Sequence, residues 1–486
     1  MEKISNKKII ITALIILTVI LLIYISYRIK GTINSSSYIE NITEATWNEE
    51  DVIDITFEDS KITGNVTIND NTILITQGGT YRLTGTSENA SVNINTKDEV
   101  TLILDNLDLT NQSGPAILIE NAEITNIVLN ENTSNKLSDG NNSNEEYDAV
   151  IYSKDDLTIS GTGNLEITTN FENGIKCTDD LVIFNGNIIV NSNTNGIIGK
   201  DSVTIKSGNI TIKSGGDAIK SNNDEEAEKG NITIEDANIT ITSQEDGIQA
   251  EQNLTINGGT FNITTNNGSS TLSGKTGWEN TTTTSSEESA KAIKASNIII
   301  NNGQFTINSK DDGIHSNGNL KIENGTFTIK SSDDGIHGDA LVEINDGTLD
   351  ITASEGIEGT YVKINGGSIT INAADDGINA GKKSNEYTPT IEINGGSITI
   401  KMASGDTDGL DSNGNLYING GTIDITGQSP FDYDGEAKYT GGKMIVNGVE
   451  TTEITNQMMG PVQGQMQNGT KGNMQGGQPN PGMQRR

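Results

Sequence analysis

Disulfides, proline, aromatics and positive charge are all scarce in this sequence. Cys177 is the single cysteine among 486 residues, so no intramolecular disulfide can form, and its thiol reads as a small buried apolar group. The two Trp and seven Phe do not recur as an exposed column, which argues against a flat aromatic row as the main grip on crystalline cellulose. Lys and Arg number 31 against 66 Asp and Glu, a net charge of −35. Such a surface repels nucleic-acid phosphates and anionic lipid and draws divalent cations, so nucleic acid is not an expected partner. No stretch of the body keeps a 3.6-residue period, which excludes a helical fold. Low hydrophobic content with abundant Gly and Asn would suit a disordered chain if no other period were present.

The one long apolar run lies at the start. Lys3, Lys7 and Lys8 precede an uncharged stretch from Ile9 to Tyr27, and Arg28 and Lys30 follow it. At about 1.5 Å rise per helical residue, this run crosses most of a ~30 Å hydrocarbon core. The basic flank sets the N-terminus inside. No small-x-small cleavage site or lipid-bearing Cys follows, so residues 1–30 are expected to be a retained single-pass anchor in the cell membrane, with a cleaved signal peptide as the alternative. The rest of the chain is then extracytoplasmic. The first thirty residues hold five basic and one acidic side chain, which leaves −39 for residues 31–486.

A Gly-Ile pair, usually preceded by an acid or Asn, recurs at Gly174-Ile175, Gly196-Ile197, Gly247-Ile248, Gly313-Ile314, Gly335-Ile336, Gly356-Ile357 and Gly377-Ile378. Ala218-Ile219, Ala292-Ile293 and Gly409-Leu410 fit the same frame. From Ile175 to Leu410 the steps are 22, 22, 29, 45, 21, 22, 21, 21 and 32, a basal period of 21 or 22 with three insertions. Within each unit, short alternating runs flank a Gly turn, as in Leu254-Thr255-Ile256, Asn257-Gly258-Gly259, Phe261-Asn262-Ile263. Alternating β-branched residues punctuated by Asn-Gly read as strand–turn–strand. The expected fold is therefore all-β: a right-handed parallel β-helix, a solenoid of about 22 residues per coil. Coils stack about 4.8 Å apart, so like residues form ladders. Asn257, Asn345, Asn365, Asn394 and Asn419 are expected to bond coil to coil through their amides. A leucine-rich repeat, the rival at this period, needs a Leu framework that is absent.

The expected organisation is an anchor at 1–30, a stalk at 31–55, the β-helix at 56–455 with caps at both ends, and a disordered Gln/Gly/Met tail at 456–486. Insertions at 130–147, 222–230, 266–289 and 381–389 are expected to wall the single edge that carries the Asp-Gly-Ile ladder.

Stacking puts Asp312, Asp334, Glu355, Asp376 and, after an insertion, Asp408 in one column, with Asp311, Asp333 and Asp375 beside it. Carboxylates ~4.8 Å apart repel by roughly 0.9 kcal/mol in water and ~3.5 kcal/mol at a dielectric of 20. Protons or cations must neutralise such a column, and clustered hard oxygens favour calcium. The competing reading is that these acids merely form turns through local hydrogen bonds. After the Gly-Ile pair come Lys176, Lys220 and Lys294, then His315 and His337, the only two histidines. Lys294, His315 and His337 are candidate contacts to sugar hydroxyls or carboxylates.

The body resembles a family of bacterial carbohydrate-binding domain-containing β-helices related in fold to polysaccharide lyases. The resemblance is carried by Ile75 to Gly85, Val100 to Thr110, Gly114-Pro115-Ala116-Ile117, Leu137-Ser138-Asp139-Gly140, the Asp-Asp-Gly-Ile units and Tyr433-Asp434-Gly435. It implies a pectate-lyase-like β-helix that binds calcium and recognises cellulose-like and acidic, pectin-type polysaccharide without established catalysis. The residues agree. A lyase needs a base beside the uronate carboxylate. Of four Arg only Arg82 lies in the body, far from the ladder, which leaves Lys294 as the one plausible base. A repeating column also does not divide acid from base for hydrolysis. The expected function is calcium-dependent, non-catalytic binding of polysaccharide, acidic and pectin-like or cellulose-like, at the cell surface. The alternatives are a uronate-specific lyase and a surface adhesin with purely structural calcium. The sequence does not set the oligomeric state.

Overall fold

The computed structural model describes residues 42–456 apart from 59–60, 65, 70, 141–145, 271–288 and 406. The expected anchor at 1–30, most of the stalk and the tail from 457 lie outside the described residues, as do the centres of two insertions. No helix of the described residues is long and apolar enough to cross a membrane.

The described chain is all strand and turn, in one continuous sheet of 45 strands. Strands pair in parallel with the strand about three positions on, so the chain winds through three faces per turn, consistent with a parallel β-helix. One coil shows the plan. A long face takes six residues, Gln304–Ser309; a short face takes three, Ile314–Ser316; a middle face takes four, Asn319–Ile322. The register keeps like residues opposite each other: Ile293, Ile314, Ile336, Ile357, Ile378 and Leu410 form one uninterrupted row. All six are fully buried, so the Gly-Ile frame marks the core column of the short face. Phe261, Phe305 and Phe327 stack inside the solenoid with centroids 4.6 Å apart, close to the coil spacing.

The turns explain the glycines and asparagines. Gly313 sits where its coil nearly touches the next; a Cβ there would lie 2.5 Å from the Gly335 carbonyl oxygen. Gly259 adopts φ +110°, a region that costs L side chains strain. In the asparagine ladder, Asn365 donates to Asn345 (2.7 Å), Asn394 to Asn365 (2.9 Å) and Asn419 to Asn394 (2.9 Å). Each amide is satisfied by the coil before it.

Two boundaries differ from the sequence reading, at the start and within 130–147, whereas the end agrees with it. Ile53–Glu58 already pairs in parallel with Gly79–Ser87, so the fold starts before residue 56; Ile53, Ile55 and Phe57 supply the alternation. At the other end, Ala437–Tyr439 and Lys443–Val446 add a partial coil, and Lys443–Val446 then turns back antiparallel against Val449–Thr451. That reversal covers the strand edge of the long face. Within 130–147, Ser134–Asp139 is a regular strand of the long face and not part of an insertion.

The insertions also do not share one edge. The segments after Asp139 and after Thr265 join the long face to the short face; 222–230 and 381–389 join the short face to the middle face. The short face is only about 10 Å wide, so loops on its two sides flank the same strip.

Candidate functional site: the carboxylate ladder of the short face

Two residues before each buried Ile or Leu, the chain turns from the long face onto the short one. The residues there in successive coils are Asn173, Asn195, Asp217, Asp246, Lys291, Asp312, Asp334, Glu355, Asp376 and Asp408. Their side chains have a structural duty. Oδ1 of Asp312 accepts the backbone N–H of Asp334 (3.0 Å), and Asp376 does the same for Asp408 (3.0 Å). Asn195 and Asp217 serve Asp217 and Asp246 in the same way, at 3.0 and 2.9 Å. Both readings of the acids therefore meet in one residue: one oxygen closes the turn, and the second carries charge that needs compensation.

One residue after the Ile, the outward column runs Lys176, Ile198, Lys220, Gln249, Lys294, His315, His337, Glu358, Asn379, Asp411 and Asp432. Its character changes from basic to acidic at Glu358. The upstream half is neutralised from within. Lys220 pairs with Asp217 (2.7 Å), Lys294 with Asp246 (3.3 Å), and Lys291 with Asp311 (2.5 Å) and Asp312 (3.5 Å). His315 Nδ1 lies 2.7 Å from Asp312, and His337 Nδ1 lies 2.6 Å from Asp334 and 2.9 Å from Glu358. The two imidazoles stack at 4.5 Å.

The electrostatics follow. Burial disfavours charge on Asp312, yet the His315 hydrogen bond and the Lys291 and His315 charges overcome it and hold its carboxyl down at about 2. Burial likewise opposes charge on His337, but its bonds to Asp334 and Glu358 push it up to about 11. Glu358, also against its burial, is held at about 2 by His337 and Lys383. Asp334 goes the other way: burial, with Asp312, Glu355 and Glu358 adding to it, raises its carboxyl despite His337. Asp333, raised by burial and by Asp312 and Asp311, stands beside it.

Downstream of Glu358 the balance fails. Asp376 is pushed up to about 9 by burial and then by Glu355, Asp375 and Asp411. Asp411 is pushed up to about 7 by burial and then by Asp408, Asp432, Glu355 and Asp434. Among the described residues no Lys, Arg or His pairs with Asp376 or Asp411. Asn379 donates to Glu355 (2.8 Å) and Glu358 (3.2 Å) but brings no charge.

The predicted site residues thus fall into two groups. Asp311, Asp312, Asp333 and Asp334 are brought together with Lys291 and the histidines. His337 is 6% exposed with both ring nitrogens on carboxylates, so it does not present a free edge to a sugar. Lys294 faces Asp246 and Ser289. Glu355, Asp375, Asp376 and Asp408 form the other group, joined by Asp411. Ligand atoms of Glu355, Asp375 and Asp376 lie within 4.8 Å of one another, as do those of Asp311, Asp312 and Asp333, of Asp312, His315 and His337, and of Asp334, His337 and Glu358. These buried acidic and histidine clusters could hold metal ions; the Glu355 group and the Asp311, Asp312 and Asp333 group offer oxygen donors alone.

Sequence reasoning missed Glu358, Asp411 and Lys291 as ladder members, although reading the position after Gly-Ile beyond His337 would have found the first two. It also missed Asp156, Asp179 and Asp180 on the far side of the short face, whose ligand atoms lie within 4.8 Å. Asp179 is raised to about 7 by burial and then by Asp201, while Lys229 pairs with Asp201 at 2.7 Å. The adjacent acids at 155–156 and 179–180, one coil apart, were the available signal.

A three-faced parallel solenoid with a carboxylate-lined strip is the class these observations define. A family model described as "Carbohydrate-binding domain-containing protein" matches residues 69–335 and 333–459, and the chain belongs to that family. A curated relative of the same description from Acetivibrio thermocellus is 34% identical over 148 residues, 28% of this chain and 52% of that protein. The chain thus spans about half the length of the curated relative it matches. A solved structure, a gadolinium derivative of the polysaccharide lyase-like protein from C. thermocellum, is 33% identical. It covers 44% of this chain and 91% of that chain, with a TM-score of 0.43.

Proposed function

We propose that this protein binds acidic polysaccharide non-catalytically through calcium held by the downstream ladder, as a right-handed β-helix carried at the cell surface by residues 9–27. The observation that carries the reading is the cluster of Glu355, Asp375 and Asp376, whose ligand atoms lie within 4.8 Å of one another; beside it, burial and then neighbouring acids raise the carboxyls of Asp376 and Asp411. Oxygen donors alone, several to a cluster, suit a hard cation with six to eight ligands. Glu355, Asp375 and Asp376 would hold one such ion, and Asp408 and Asp411 would bind close by. An ion with open positions there can accept uronate carboxylates, which lets an anionic glycan approach a surface of its own sign. Membership of a carbohydrate-binding family supports the ligand class. Binding is favoured over lyase chemistry because Lys294, the one candidate base, is engaged by Asp246.

Calorimetric calcium titration tests the assignment. Asp376→Asn and Asp411→Asn should each remove or weaken at least one site, whereas Asp217→Asn, in the Lys-paired half, should leave calcium binding unchanged. Equal losses from all three variants would contradict it.

A further inference from the structure

Three carboxylates surround His337, more than its place in the ladder requires. The ring follows buried Ile336 on a strand that runs unbroken from Ile336 to Ile344, so Asp339 stands two residues further along the same strand. Asp339 Oδ1 lies 3.0 Å from His337 Nε2. An ionised carboxylate only accepts, so Nε2 carries the hydrogen and the lone pair of the neutral ring falls on Nδ1. That nitrogen faces Asp334 Oδ2 of its own coil at 2.6 Å and Glu358 Oε2 of the next coil at 2.9 Å. A single N–H donates well along only one of these two lines. A cation with several coordination bonds satisfies all three atoms at once.

The surroundings hold these atoms in place. The other oxygen of Glu358 accepts from Lys383 Nζ at 2.9 Å and from Asn379 at 3.2 Å, which leaves Oε2 turned to His337. Asp339 stands behind the imidazole as carboxylates stand behind metal-bound histidines, fixing both tautomer and ring orientation. Asp334, His337 and Glu358 are all buried. The neighbouring His315 does not repeat the arrangement. Its Nε2 meets the amide oxygen of Asn317 at 3.0 Å, and its Nδ1 meets Asp312 at 2.7 Å, a carboxylate already shared by Lys291 at 3.5 Å. The two rings stack within 19° of parallel, which keeps their in-plane lone pairs side by side and not convergent.

We infer that His337 Nδ1, Asp334 and Glu358 form a buried centre for a divalent metal of the zinc class, with Asp339 as the positioning residue behind the imidazole. Three protein ligands of mixed nitrogen and oxygen, with a fourth position for water, suit zinc; calcium takes six to eight oxygens. Zinc bonds of about 2.0–2.2 Å set tetrahedral ligand atoms about 3.3–3.5 Å apart, so each carboxylate retreats by under about 1 Å from its hydrogen-bond distance. Uptake of the metal releases the Nδ1 proton to solvent. The centre is independent of the calcium reading: it lies in the half of the ladder that carries its own cations, and it takes a different class of ion.

Calorimetric zinc titration of the whole protein tests it, after EDTA treatment and dialysis, with calcium kept saturating so that the oxygen-only clusters are filled. One zinc per chain should bind and raise the melting temperature. His337→Gln should abolish that binding, and His315→Gln should leave it unchanged. Asp339→Asn should weaken it about 10- to 100-fold while calcium stoichiometry stays at its wild-type value. Because His337 is buried, a variant that fails to fold is replaced by X-ray absorption on the zinc-loaded wild type. That spectrum should show one imidazole and otherwise oxygen ligands at about 2.0–2.2 Å. Zinc that does not bind in calcium, binds in an all-oxygen shell, keeps full affinity in His337→Gln, or is lost equally in His315→Gln overturns the centre. The calcium sites stand or fall on their own titration in every case.

Discussion

Raising the pH of the metal-free protein should destabilise it, with Asp376 a main cause. Its carboxyl sits at about 9 in the folded chain and near 3.8 when exposed. Between those values the folded state binds a proton that the unfolded state lacks, so stability falls as pH rises, by about 1.4 kcal/mol per pH unit for one group. From pH 5 to pH 8 Asp376 alone accounts for a loss on the order of 4 kcal/mol. Asp411, at about 7 when folded, adds up to roughly 3 kcal/mol, essentially all below pH 7. His337, near 11 in the fold, has the same sign: its stabilisation is full below 6.5 and is lost as pH climbs toward 11. Asp312 and Glu358, both held at about 2, are ionised in folded and unfolded states alike above pH 5 and contribute no slope there. The assay is urea denaturation in EDTA at pH 5 and pH 8, for wild type and Asp376→Asn. The amide cannot titrate but keeps the oxygen that accepts the Asp408 N–H. Wild type should lose several kcal/mol more than the variant over that range, and saturating calcium should shrink the difference. Parallel losses in EDTA would refute the reasoning.

Other outcomes follow from the same structure. Asp312→Asn strips charge from a site shared by Lys291 and His315, and should cost about 3–5 kcal/mol while leaving calcium stoichiometry intact; denaturation and calorimetry on one sample check both. Ile314→Ala opens a cavity in the fully buried column and should cost about 2–5 kcal/mol in the same denaturation assay. Asn365→Ala removes a donor to Asn345 and an acceptor for Asn394, and should cost about 1–2 kcal/mol, with faster hydrogen exchange in the neighbouring turns.

The solenoid was legible because its rule is local. A buried Ile two residues past the turn acid fixes register from Ile293 to Leu410, and insertions of any length leave that frame intact. The asparagine ladder could be read for the same reason. Charge compensation could not. Asp312 is balanced by Lys291 from the coil before and by His315 three residues on, so its state depends on neighbours that a single column of acids omits. The column after Gly-Ile held the missing information, since its change from His337 to Glu358 marks where internal cations give out.

Retention of the purified protein on immobilised polygalacturonate, with calcium and then with EDTA, tests the central claim most directly. The account predicts retention in calcium, release by EDTA, and weakened retention for the Asp376→Asn, Asp411→Asn double variant. Failure to bind in calcium, or binding that EDTA and the double variant leave untouched, would contradict it.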